Sequence, residues 1–120
     1  MKKYLYEILM KRSRRLYNDS LRAYNDKFYD LALVYLEQSL QLFLKAKILE
    51  NIGEFPKTHD IKKLLEILNY SFSEEDLLVI DLLNDVYISG RYLEKEYSKE
   101  EYEKALNFVN KIFEKYGFRN

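Results

Sequence analysis

The segment from Asp30 to Leu49, DLALVYLEQSLQLFLKAKIL, is apolar on nearly every side of a helix. It contains neither glycine nor proline, and its seven leucines and two alanines are good helix formers. A helix with apolar residues all round is buried on several sides. The segment therefore predicts a central helix, over about residues 29–51, that other elements must surround.

The rest of the chain is rich in helix formers and poor in chain breakers. Its 120 residues include only three glycines and one proline, and no segment alternates with the period of a strand. The chain is long enough to bury one core without disulfides or metals. We expect an all-α protein of about five helices, arranged as an up-and-down bundle in a single domain over residues 1–120.

Turn and capping signals predict where the first three helices lie. The first should cover residues 4–25, and Gly53 is well placed to end the central helix. Thr58 is predicted to cap a third helix with its hydroxyl. His59 and Asp60 would then lie in the first turn of that helix, where the charge of Asp60 complements the helix dipole.

Two further capping signals predict the remaining helices. Ser73 precedes the acidic run EED and should cap a fourth helix. Ser98 and Glu101 have the spacing of a capping box at the start of a fifth helix, which Gly117 should end.

The composition excludes several classes of function. The chain has no cysteine and one histidine, which excludes a thiolate site and a multi-histidine zinc site within one chain. We predict no metal site. No apolar run approaches the roughly 20 residues that span a bilayer, and the start lacks the features of a signal peptide. We expect a cytoplasmic protein without a membrane partner.

The charges are unevenly distributed along a chain whose net charge is zero. Residues 1–27 carry eight bases against three acids, and residues 74–103 carry ten acids against three bases. The two segments either face each other, within a protomer or across a dimer, or the basic one meets phosphates. A pI near 6.6 and the lack of a recognition motif argue against RNA as a partner.

One pattern in the central part of the chain resembles a known family. Its pieces, in order, are Leu44-Lys45-Ala46, a loop through Gly53 and Pro56, Thr58-His59-Asp60 and the pair Leu64-Leu65. This order is similar to the core of the HEPN domain, a family named for higher eukaryotes and prokaryotes and for nucleotide binding. The sequence SGRY at 89–92 resembles the arginine-tyrosine segment near the end of the family's fourth helix.

The resemblance implies a bundle of four or five helices, often a homodimer and often the partner of a minimal nucleotidyltransferase in a two-component, toxin–antitoxin-like system. Many HEPN proteins are metal-independent ribonucleases with an arginine followed, after four to six residues, by a histidine. No histidine lies at that distance after Arg91, and no arginine lies at that distance before His59. We therefore predict no catalytic residues, and a binding module is favoured over an enzyme. The alternatives are a divergent ribonuclease toxin and a purely structural helical dimer.

Five residues are the candidates for contacts to a nucleotide or its phosphate. They are Lys45, His59, Asp60, Arg91 and Tyr92. The implied ligand is ATP or another nucleotide, and no other cofactor is required. A free helix start near His59 could bind an anion, and the planar guanidinium of Arg91 suits phosphate or carboxylate.

Three of these candidates also have a structural interpretation. The stem of Lys45 could lie on the core with its ammonium in water or paired with an acid of the fourth helix, the latter being favoured. His59 could order the loop before its helix, and Arg91 could form a salt bridge.

Overall fold

The computed structural model describes residues 2–54, 56–90 and 95–118. These contain five helices, namely α1 (Lys2–Asn25), α2 (Tyr29–Ile52), α3 (Ile61–Ile67), α4 (Glu74–Ile88) and α5 (Lys99–Tyr116). The described ranges contain no strand, so the prediction of an all-α protein with five helices is confirmed. None of these helices combines the length and apolar character needed to cross a membrane.

The helix α2 is the centre of the bundle, as its apolar sequence predicts. It packs against each of the other four helices. Six of its large apolar side chains are fully buried, namely Leu33, Leu36, Leu40, Phe43, Leu44 and Ile48. Phe43 contacts two aromatic rings near the end of the chain, those of Phe113 and Phe118, at centroid distances of 4.7 and 5.3 Å.

Buried serines join α1 to α2 along their shared face. The Ser13 hydroxyl donates to the carbonyl of Ser39, and the Ser39 hydroxyl donates to the carbonyl of Ser13, each at 2.7 Å. Further along α1, Ser20 donates to the carbonyl of Ala32 at 2.8 Å. The pairings of Ser13 with Ser39 and of Ser20 with Ala32 show that the two helices are antiparallel.

The predicted caps of the long helices are confirmed. The hydroxyls of Ser73 and Ser98 each accept the backbone amide of the residue three positions on, and the side-chain carboxylate of that residue accepts the backbone amide of the serine, which completes a capping box. Gly53 and Gly117 end α2 and α5 with φ values of 84° and 86°, a left-handed conformation that glycine adopts without steric cost.

The start of α3 differs from the prediction. The N-cap is Asp60 instead of Thr58, so His59 and Asp60 precede the helix and do not lie in its first turn. The Asp60 carboxylate accepts from the backbone amide of Lys62 at 2.9 Å and from the side-chain amide of Asn84 on α4 at 3.0 Å. Thr58 instead accepts the amide of Asp60 at 3.1 Å and so shapes the turn before the cap.

The basic helix α1 and the acidic helix α4 are not among the helix pairs in extended contact. Over the described ranges, α1 packs mainly on α2, and α4 packs on α2, α3 and α5. One acid of the acidic residues 74–103 does contact α1, because the Tyr24 hydroxyl donates to Glu103 on α5. This hydrogen bond to a carboxylate raises the pKa of Tyr24 to about 12.

We expect Ser98→Ala to lower the free energy of unfolding by about 1 kcal/mol, because the first turn of α5 loses its capping hydroxyl. The measurement is urea unfolding followed by circular dichroism. Ser71→Ala is the matched control, since Ser71 is an exposed serine outside any helix, and should change stability by less than about 0.5 kcal/mol. Equal effects of the two substitutions would contradict the capping role.

Candidate functional site

A row of polar side chains runs along one face of α2, the most apolar helix of the bundle. Glu37, Gln41 and Lys45 are spaced four residues apart, so they lie one above another. Their exposed fractions are 1 %, 7 % and 8 %. Burying a carboxylate and an ammonium costs free energy that apolar residues at these positions would not cost. The row is therefore the feature of the interior that packing alone does not explain.

Hydrogen bonds connect this row to His59. The Gln41 side chain donates through Nε2 to Glu37 Oε2 at 2.6 Å, and its Oε1 lies 2.9 Å from His59 Nδ1. An ionised carboxylate only accepts hydrogen bonds, so Glu37 fixes which end of the Gln41 amide faces His59. By this network, Nδ1 of His59 carries a proton and donates to Gln41. The buried carboxylate of Glu37 therefore determines, through the Gln41 amide, that Nδ1 of the exposed His59 ring is the hydrogen-bond donor.

The helix α4 holds the other side of the segment that carries His59. The Tyr87 ring stacks on the imidazole with centroids 4.6 Å apart and an interplanar angle of 20°. One turn earlier, Asn84 donates to Asp60 and accepts the backbone amide of Ile61 at 3.0 Å. Two side chains of one helix therefore fix the position of the loop that ends at α3.

The electrostatics of the row centre on Lys45. Burial lowers the pKa of its ammonium, and the negative charge of Glu37 acts in the opposite direction. One carboxylate that acts on Lys45 therefore belongs to its own helix, and the favoured sequence interpretation, a pairing with an acid of α4, stays a prediction. A partly desolvated ammonium interacts more strongly with an anion than a hydrated surface lysine does.

The structure groups two of the five predicted site residues and gives a third a structural role. Lys45 lies one turn from Gln41, which is bonded to His59, so both belong to the same polar region. Asp60 adjoins this region as the cap of α3 and the partner of Asn84. Arg91 and Tyr92 lie outside the described residues.

Sequence reasoning missed three residues of this region, namely Glu37, Gln41 and Tyr87. The signal for the first two was present as the four-residue spacing of polar residues that ends at Lys45. The contact of Tyr87 with His59 joins residues on two helices and had no local signal. Among the described residues, no three histidine, cysteine or acidic side chains lie close enough together to hold a metal ion.

The fold and this row define an all-α bundle with a polar site on its central helix. A family model for the HEPN domain matches residues 6–118, which is nearly the whole chain. The chain therefore belongs to the HEPN domain family, whose members are nucleotide-binding and ribonuclease-type modules. No curated protein and no solved structure gave a significant match.

Proposed function

We propose that this chain is a nucleotide-binding HEPN module in which Lys45 and His59 hold the phosphate of the ligand. The observation that supports this most strongly is the buried row of Glu37, Gln41 and Lys45 on the central helix. Burial disfavours the charged form of Lys45, and the negative charge of a phosphate would act in the same direction as that of Glu37 to favour it.

The arrangement around His59 suits a ligand that is held in one orientation. Gln41 and Tyr87 fix the imidazole before any ligand arrives, so little side-chain freedom is lost on binding. In this proposal Asp60 positions the loop through its cap, and Arg91 and Tyr92 are further candidates for contacts to the ligand. The guanidinium of Arg91 would add a bidentate phosphate contact.

The charge pattern of the row indicates how a nucleotide would lie along it. The carboxylate of Glu37 repels phosphate, so the phosphate belongs at the Lys45 end, two helical turns away. Glu37 itself is 1 % exposed and already accepts from Gln41, so it repels the phosphate without contacting the ligand.

We expect ATP or GTP to bind saturably in calorimetric titrations, with Lys45→Met weakening binding by about tenfold or more. The charge-assisted contact to phosphate is lost, while the methionine keeps most of the apolar stem. Adenosine, which lacks phosphate, should bind with an affinity that Lys45→Met does not change. Lys62→Met is the matched control, since it removes an exposed lysine of α3 and should leave ATP binding unaltered.

Two results would overturn this proposal. One is the absence of binding heat at millimolar ATP and GTP with a folded protein, judged by its circular dichroism. The other is saturable binding that neither Lys45→Met nor His59→Ala weakens, which would place the nucleotide elsewhere.

The second part of the proposal concerns a protein partner. Family membership supports a minimal nucleotidyltransferase as that partner, in a two-component system of the toxin–antitoxin kind. Co-expression of the chain with a nucleotidyltransferase encoded beside its gene, followed by affinity purification of the untagged partner, tests the pairing. We expect a stoichiometric complex, and recovery of the tagged chain alone would contradict it.

One observation favours ribonuclease activity as the alternative function. His59 is oriented by Gln41 and, through it, by Glu37, which is the kind of support that a proton-transferring imidazole requires. A ribonuclease of this kind would cleave fluorescent RNA in the presence of EDTA and lose activity on His59→Ala or Arg91→Ala. Intact RNA after prolonged incubation would exclude this function.

A further inference from the structure

A groove lies between α4 and α5, away from the residues of the polar row. Its volume is about 360 Å³, and Leu78, Val79 and Phe108 form its apolar lining. Ligand pockets in proteins have volumes of about 300–1,000 Å³ and are lined mainly by apolar side chains, with a few polar groups among them. The groove therefore has the size and the lining of a site for a small molecule.

The floor of the groove is held in place by its neighbours. Phe108 is only 5 % exposed, and the ring of Tyr70 packs edge-on against its ring with centroids 6.4 Å apart. The Tyr70 hydroxyl in turn donates to Asp76 on α4 at 2.8 Å. A floor that is fixed in this way loses little side-chain freedom when a ligand binds.

Leu78 forms a wall of the groove and is the most exposed large apolar residue of the described chain. Its exposed fraction is 71 %. An apolar ligand in the groove would remove part of this surface from water, which favours binding.

The two lysines of the groove have different surroundings. Lys111 contacts Asp76 at 2.6 Å, and its ammonium lies 5.4 Å from the centroid of the Phe108 ring. Lys104 is exposed and takes part in no ion pair with a described residue. Lys111 is therefore already bound to the protein, whereas the ammonium of Lys104 is available to a ligand.

We propose that this groove binds an amphiphilic carboxylate, a molecule with one negative group and an apolar chain. The carboxylate lies beside Lys104 and Asn107, whose ammonium and side-chain amide both donate hydrogen bonds to it. The chain of the ligand lies on Phe108, against Leu78 and Val79.

The positions of the acids favour this sign of charge and this orientation. Lys104 lies two helical turns, about 10.5 Å along α5, from Lys111. Glu75 belongs to the first turn of α4, as does Asp76, the residue that contacts Lys111. A carboxylate is therefore repelled by Glu75 at one end of the groove and attracted by Lys104 at the other. The apolar chain extends from Lys104 towards Lys111.

This proposal is independent of nucleotide binding. The groove shares no residue with the row of Glu37, Gln41 and Lys45 or with His59. Decanoate, an amphiphilic carboxylate, and ATP should therefore bind without competing, and each proposal can fail without the other.

Titration of decanoate into the isotopically labelled chain, followed by nuclear magnetic resonance, tests the site. We expect saturable shifts of the backbone amides of Leu78, Val79 and Phe108, with a dissociation constant of about 1 mM or lower. Lys104→Met should raise this constant about tenfold, because the charge-assisted contact is lost. Lys115→Met is the matched control, since it removes an exposed lysine of α5 outside the groove and should leave binding unaltered.

The sign of the ligand charge and the apolar wall provide a second test. Decylammonium, which has a chain of the same length and a positive group, should bind about tenfold more weakly than decanoate, and Lys104→Glu should reverse this preference. Leu78→Asp should weaken decanoate binding by about tenfold or more, because the wall loses apolar surface and gains a negative charge. Ile88→Asp, at an exposed position of the same helix outside the groove, should have no effect.

Several results would overturn the proposal. They are the absence of saturable shifts at millimolar decanoate, binding of decylammonium that is as tight as that of decanoate, and decanoate binding that neither Lys104→Met nor Leu78→Asp weakens. Shifts of the groove amides that depend on protein concentration instead of decanoate would also contradict it, because a second chain would then occupy the groove.

Discussion

Phe43→Ala should lower the free energy of unfolding by about 3–5 kcal/mol, the largest effect that we expect from a single substitution in this chain. Phe43 is fully buried on α2, and its ring contacts those of Phe113 and Phe118. Its removal leaves a cavity where the central helix meets the end of α5, and the surrounding rings can only partly close it. Urea unfolding of the variant measures the loss.

A matched control for this substitution is available on the surface. Phe28, just before α2, is 56 % exposed, and Phe28→Ala should change the stability by less than about 0.5 kcal/mol. Similar losses for the two variants would mean that Phe43 does not lie at the centre of the core.

Asp76→Ala should cost about 2–4 kcal/mol, because several groups lose a shared acceptor at once. The carboxylate accepts the Tyr70 hydroxyl at 2.8 Å, the Ser73 amide at 3.1 Å and the Lys111 ammonium at 2.6 Å. The substitution therefore removes half of the α4 capping box and a charge-assisted contact between α4 and α5. Thermal and urea unfolding measure the loss, and Asp81→Ala, an exposed acid of the same helix, should have little effect.

The same carboxylate should contribute to the dependence of stability on pH. Burial opposes its ionisation, but the hydrogen bonds from Lys111, Ser73 and Tyr70 outweigh burial and hold the pKa of Asp76 below its ordinary value near 3.8. Its contribution is therefore fully present above that value and is lost as the pH falls through the lower, folded-state pKa. Unfolding experiments below about pH 4 should show a steeper loss for the natural chain than for Asp76→Asn. Parallel curves would contradict this assignment.

Features that depend on neighbouring residues in the chain could be predicted from the sequence. The capping boxes at Ser73 and Ser98 and the glycine ends at Gly53 and Gly117 involve residues within one turn of each other, so their spacing carries the information. The central position of α2 follows from its apolar composition, because a helix of that kind must be covered on several sides.

Features that depend on contacts between helices could not be predicted in this way. Thr58 and Asp60 are both good capping residues, and local preference did not distinguish them. Asp60 is the cap in the folded chain, where its carboxylate also accepts from Asn84, a residue 24 positions further along the chain. The stacking of His59 on Tyr87 also joins residues that are far apart in the sequence, so no local pattern predicts it.

The candidate site was only partly predictable for a related reason. Lys45 and His59 were identified from a resemblance. Glu37 and Gln41, which connect the site to the core, were not identified, because they lie in a helix whose sequence is mostly apolar. Only burial shows that these two side chains lie inside the protein, since the same residues on an exposed face would need no explanation.

The serines between α1 and α2 determine how far one helix can slide along the other. Leucine-rich faces tolerate several alignments at similar cost, because one apolar contact replaces another. A shift of one turn, about 5.4 Å, would separate Ser13 from Ser39 and Ser20 from Ala32 together, leaving buried hydroxyls without acceptors. These small polar groups therefore select a single register for the longest helix pair, and α3, α4 and α5 pack on the α2 helix of that pair.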